Sequence, residues 1–141
     1  MTQEQKDLLL KDLCARLPYG VVIQEKCVEQ DKTFLPNKEG DRLVNIDAHA
    51  DLLMTNCGSW YYLNEIKPYL FPFSSMTEEQ KKELNDITNL DIEIAVSHIK
   101  NDTPNYVTSL NRLAWLLKNH FDIYDLIPMG LAIDATGLNI Y

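Results

Sequence analysis

The chain has 141 residues, a net charge of −8 and a pI of about 4.7, with 45% hydrophobic and 24% charged residues. That length carries one domain with its own core, residues 1–141, and the balance is that of a globular chain, not a disordered or membrane-spanning one. Thirteen Lys and Arg dispersed among twenty-one Asp and Glu argue against direct nucleic-acid binding, which draws on cations that replace phosphate counterions.

The start, Met1-Thr2-Gln3-Glu4-Gln5, lacks the basic and apolar blocks of a signal peptide, and the apolar runs are too short to cross a bilayer. These features predict a cytoplasmic protein with no membrane association. Cys14, Cys27 and Cys57 form no CxxC, so neither a disulfide framework nor a zinc ribbon is expected. Residues 83–141 hold eight acids against three bases. This acidity suits a solvated surface or, alternatively, a face for a basic partner.

Residues 3–17 have helical spacing, with Leu9, Leu10, Leu13, Cys14 and Leu17 on the apolar side. Thr2 and Gln5 supply a capping box, and Pro18-Tyr19-Gly20 turns the chain. Cys14 reads as a core residue. From Gly20 to Leu63 the pattern changes to short β-prone runs between Gly, Asn and Asp turns: 20–28, 33–35, 42–46 and 60–63. Lys67 to Phe73, with two prolines, reads as an extended connector across the sheet.

Thr77 and Gln80 cap a helix over 78–87. Residues 88–101 fit either strand alternation or a helical stripe. Asp102 or Thr103 caps a helix starting at Pro104, whose inner face would be Val107, Leu110, Leu113, Ala114 and Leu117. His120 falls near its C-terminus, where an imidazolium would meet exposed carbonyls. A short helix is expected near Asp125 to Met129, and the apolar tail 131–141 is expected to pack on the body. The fold class is therefore α+β: an N-terminal helix, a small antiparallel sheet or partly open barrel of three to five strands, and C-terminal helices packed on it.

One run concentrates catalytic residue types: Asp47-Ala48-His49-Ala50-Asp51, entered from Leu43-Val44-Asn45-Ile46. On a strand, Asp47, His49 and Asp51 would project from one face, where two carboxylates and an imidazole could hold a divalent metal and acidify its water. The run resembles the Asp-Ala-His-x-Asp signature of the arginase and agmatinase ureohydrolases over nine residues. Those enzymes take further ligands from an Asp-x-Asp segment downstream, and this chain has no Asp-x-Asp. The same residues also read as a strand ending in a polar loop. Cys57 lacks a flanking base, and no glycine-rich phosphate loop is present, so no catalytic residue and no cofactor is assigned.

Aromatics form the other constellation, Trp60, Tyr61 and Tyr62 with Tyr69 close behind. Alternation places Trp60 and Tyr62 on one face of a strand and Tyr61 on the other. These four residues are the candidates for partner contact, since exposed aromatics bury much area at small entropic cost.

Three blocks resemble an uncharacterised family of small acidic proteins from gut bacteria and their prophages: Lys6 to Gly20; Lys67-Pro68-Tyr69-Leu70 with Ser74 to Glu79; and Trp115 to Asp122 running into Leu126 to Ala132. They cover about a third of the chain. The resemblance implies an accessory or mobile-element protein and carries no catalytic residue. The first reading is a non-enzymatic accessory factor that binds a protein partner. The alternatives are a small metal-dependent hydrolase using Asp47, His49 and Asp51, and an acidic decoy for a DNA-binding protein.

Overall fold

The structure, a computed structural model, describes residues 1–25, 41–90 and 104–141. Helix α1 (Gln3–Arg16) opens with the expected capping box: Gln5 N–H donates to Thr2 Oγ1 at 3.2 Å, and Thr2 N–H to Gln5 Oε1 at 2.9 Å. A 3-10 turn, Leu17–Tyr19, ends it at Gly20, whose φ of +65° suits a residue without Cβ. The buried face is Leu9, Asp12, Leu13 and Arg16. Cys14 is exposed and not in the core. It lies one residue, about 100°, round the helix from Leu13, and the core takes the side that runs through Arg16.

Six short strands occur among the described residues: β1 (Ile23–Glu25), β2 (Leu43–Asp47), β3 (Leu52–Thr55), β4 (Trp60–Tyr62), β5 (Ile66–Leu70) and β6 (Ile133–Asp134). They form two three-stranded sheets, an antiparallel meander β2–β3–β4 and a mixed sheet in the order β1–β5–β6. Backbone bonds from Leu43 N–H to Val21 O (3.0 Å) and from Ile23 N–H to Asp41 O (2.9 Å) join the sheets. The expected strand at 33–35 lies outside the described residues.

The segment expected as a connector is extended, but residues 66–70 are the central strand of the second sheet. Tyr69 N–H donates to Val22 O at 2.9 Å. Its neighbour Pro68 therefore turns its nitrogen to the opposite edge, and pairing with β6 starts only at Tyr69. No ladder bond is lost at the proline, which is how a central strand tolerates it.

Helix α2 (Glu78–Leu90) starts at the expected box, with Gln80 N–H donating to Thr77 Oγ1 and Thr77 N–H to Gln80 Oε1. Residues 88–90 continue that helix; the rest of the ambiguous segment, with Asp102 and Thr103, lies outside the described residues. Helix α3 (Pro104–Lys118) packs against α2. Leu117 is buried, but Leu110 and Leu113 are exposed, against the expected inner face. Their part of α3 is not the part that reaches the core, whereas Leu117 lies in the last turn beside α1.

Residues 126–130 form a turn instead of a short helix: left-handed backbone at Asp125 (φ +56°) and Gly130 (φ +69°) bounds it, and the Asp122 carboxylate accepts from Leu126 N–H at 2.9 Å and Ile127 N–H at 2.8 Å. The tail packs on the body as expected: Leu131, Ala132 and Ala135 are buried, and β6 runs parallel to β5. The main core joins α1, both sheets and residues 126–132. No helix among the described residues is long and apolar enough to cross a membrane.

Candidate functional site

The Asp47-x-His-x-Asp51 run is a hairpin turn. Asp47 closes β2, residues 48–51 turn, and β3 begins at Leu52. Asp47 Oδ1 accepts from His49 N–H at 3.1 Å and Ala50 N–H at 3.2 Å, the bonding of an Asx turn. Asp51 has a φ of +53°, which Asp tolerates, and its Oδ2 accepts from Lys6 Nζ at 3.4 Å. A strand would have aligned the three side chains on one face; the turn ends that alternation after Asp47. Among the described residues, no three His, Cys, Asp or Glu side chains are placed to hold a metal ion.

The meander displays the aromatic residues unequally. Its register pairs Asp47 with Leu52 and Leu52 with Tyr62, and in the next row Asn45 with Met54 and Met54 with Trp60. Paired residues share a face. One face therefore carries two rows, Asp47–Leu52–Tyr62 and Asn45–Met54–Trp60. Trp60 is 50% exposed and Tyr62 55% exposed. The opposite face carries Ile46, Leu53 and Tyr61, packed into the core. Tyr69 is 2% exposed, and its hydroxyl donates to Gln24 Oε1. Of the four aromatic candidates, Trp60 and Tyr62 face solvent, Tyr61 is a core-side residue and Tyr69 is not available to a partner. Across residues 43–66 stand Asp47, Asp51 and Glu65 and no Lys or Arg.

Compared with known proteins, the chain matches no family model, no curated protein and no solved structure.

A second cluster of ionisable groups is buried between α1 and the end of α3. Arg16 and Asp12 are both fully buried and pair two-pronged, Nε to Oδ2 at 2.7 Å and Nη2 to Oδ1 at 2.8 Å. Arg16 Nη2 also donates to Phe121 O at 2.6 Å, and Nη1 to Leu117 O at 3.5 Å. Burial pushes the Asp12 carboxyl above the usual carboxylate range, against the opposing pull of Arg16. The pair was missed from sequence, although Asp12 and Arg16 stand four residues apart on the face of Leu9 and Leu13. Its hydrogen bonds run to helix-end carbonyls, which makes it a structural clamp.

His120 occupies the position expected of a C-terminal cap but not its charge state. It sits at φ +60° just past α3, is buried and stacks on Tyr141 with ring centroids 3.8 Å apart. Burial, reinforced by the Arg16 and Arg42 charges, pushes its imidazole down to about 4, so it is neutral near pH 7. The cation that meets the helix end is Arg16 instead. Tyr141 completes this corner: its hydroxyl accepts from Val22 N–H at 3.1 Å and donates to Tyr69 O at 2.7 Å.

Cys57, in the turn between β3 and β4, is exposed. Its Sγ lies 3.4 Å from Ser59 Oγ and 2.9 Å from Thr55 Oγ1, and these hydroxyls hold the thiol below its ordinary range.

Proposed function

We propose that this chain is a non-enzymatic accessory protein that acts by binding another protein through the Trp60–Tyr62 face of the meander. The observation that carries the reading is the pairing of two large half-exposed aromatics, two residues apart, on a sheet whose other face is fixed in the core. Tyr and Trp held on a rigid support are the side chains that concentrate binding energy at protein interfaces. The ionisable clusters point the same way, because Asp12, Arg16, Asp47 and Asp122 each have their oxygens or nitrogens engaged in holding turns and helix ends. A cytoplasmic setting is part of this reading, and a bacterial or prophage gene is what the three resembling blocks imply.

The test is site-specific photocrosslinking in cells of the organism of origin. A photoreactive phenylalanine at position 62 is expected to trap one discrete protein, and Trp60→Ala is expected to abolish the adduct. The same probe at Lys81, exposed on α2, serves as the control. Equal trapping at positions 62 and 81, or none at 62, overturns the reading.

A further inference from the structure

The charge around the two aromatics selects the chemistry of the partner. We infer that the Trp60–Tyr62 face recognises a protein segment bearing arginine or lysine next to apolar side chains, with the cations seated over the two rings; this deepens the protein-binding reading and rests on it. Three observations support it.

First, the face is a graded surface. In the row Asp47–Leu52–Tyr62 a carboxylate stands two strands from an aromatic ring, a separation of roughly 10 Å, with an aliphatic side chain between. The second row, Asn45–Met54–Trp60, repeats the order polar, aliphatic, aromatic. A guanidinium over the Tyr62 ring stands about 10 Å from Asp47, inside its field but not in contact with it, and the apolar side chains beside it in the partner cover Leu52.

Second, the sheet carries no competing cation. Residues 43–66 hold no Lys or Arg, so the rings meet no cation from their own sheet; of the three carboxylates there, Asp51 is paired with Lys6, which leaves Asp47 and Glu65. Trp and Tyr faces attract cations through their quadrupole, and the neighbouring acids add to the same potential. An acidic partner, or nucleic acid, would meet repulsion here.

Third, the edge of the sheet is guarded while the face is open. Tyr62 N–H donates to Glu65 Oε2 at 2.9 Å, so a carboxylate occupies a backbone donor that an added strand would need. A second copy of this chain would bring three more carboxylates to the same sheet, inside a molecule whose net charge is already −8. Both facts disfavour self-pairing and place the partner across the face.

The experiment uses the whole chain, nitrogen-15 labelled, and a ten-residue peptide alternating arginine and valine as the probe. Peptides with glutamine or glutamate in place of arginine are the comparisons. The indole N–H signal of Trp60, assigned by its loss in Trp60→Phe, is expected to shift with the arginine peptide, while that of Trp115 stays in place. Trp60→Ala and the double variant Asp47→Asn with Glu65→Gln are each expected to weaken the arginine peptide roughly three- to tenfold. The double variant keeps both side-chain acceptors and removes only charge, so the turn and the edge contact are preserved. Equal binding of the glutamine peptide, or unchanged affinity in the double variant, overturns the cationic assignment and leaves the protein-binding reading to the crosslinking test. No Trp60 shift with the arginine peptide also overturns it. Binding that disappears in high salt yet is indifferent to Trp60→Ala overturns it in favour of a purely electrostatic acidic decoy.

Discussion

Arg16 Nη2 lies 2.6 Å from the carbonyl oxygen of Phe121, a contact between residues 105 apart in the chain. Through it the last turn of α1 caps the chain leaving α3, and the same guanidinium holds Asp12 with two further bonds. Arg16→Met leaves the Asp12 carboxylate buried without its partner and should cost about 3–5 kcal/mol. Combining Arg16→Met with Asp12→Leu should recover much of that loss, because a buried pair replaced by apolar groups is close to neutral. Arg16→Lys should not recover it, since an ammonium lacks the planar fork. Urea unfolding of the four proteins checks the order.

His120 should make stability fall in mild acid. An unfolded imidazole takes up its proton near 6.5, and the folded one only near about 4. The contribution is therefore whole above pH 6.5 and is lost as the pH drops from there towards 4, at about 1.4 kcal/mol per pH unit and about 3 kcal/mol in total. His120→Asn, which accepts the left-handed backbone at this position, should remove that part of the slope. Chemical denaturation of both proteins between pH 7 and pH 4 isolates the difference.

Tyr141→Phe should destabilise by about 1–3 kcal/mol, since it deprives Val22 N–H of its acceptor and Tyr69 O of a donor while keeping the ring stack on His120. Thermal unfolding gives the size, and faster amide exchange at Val22 gives the location.

The hairpin turn separates a structural role from a ligand role. Asp47→Ala removes the acceptor for two backbone amides and should cost about 0.5–2 kcal/mol by analogy with loss of a helix cap. His49→Ala, at an exposed position, should stay within about 0.5 kcal/mol of the parent. The reverse ranking in thermal unfolding would show that the imidazole has work of its own there.

Cys57 should alkylate faster at pH 7 than an ordinary thiol, and Ser59→Ala should slow it by raising the thiol towards its usual range. The rates are read with iodoacetamide in a background of Cys14→Ala and Cys27→Ala.

Local patterns were the legible part of this chain. Capping boxes at Thr2 and Thr77, the Pro18 to Gly20 turn and the strand alternation of Trp60 to Tyr62 depend on neighbours within a few residues, and each is where the sequence places it. Pro68 misled because its tolerance depends on which edge its nitrogen faces, and that is set by pairing with Val22 and Ile23, more than forty residues away. Leu110 and Leu113 misled because helical periodicity gives an apolar stripe without saying how far along it the core extends. The Asp47 to Asp51 run left two readings open, because carboxylates and an imidazole at alternate positions are the composition both of a metal strand and of a polar turn, and the geometry is the turn. For the aromatic face, the alternation was readable, and which of the four residues face solvent was not.

The clamp at Arg16 also bears on how the protein is made. A ribosome delivers about 5–20 residues per second, so the carbonyls of Leu117 and Phe121 follow Arg16 out of the ribosome by roughly 5–20 s. For that interval α1 holds a charged pair whose burial has no far wall. The nascent helix must either stay wet on that side or be shielded by chaperones, and tertiary structure closes over it only when the carboxyl-terminal third has been translated.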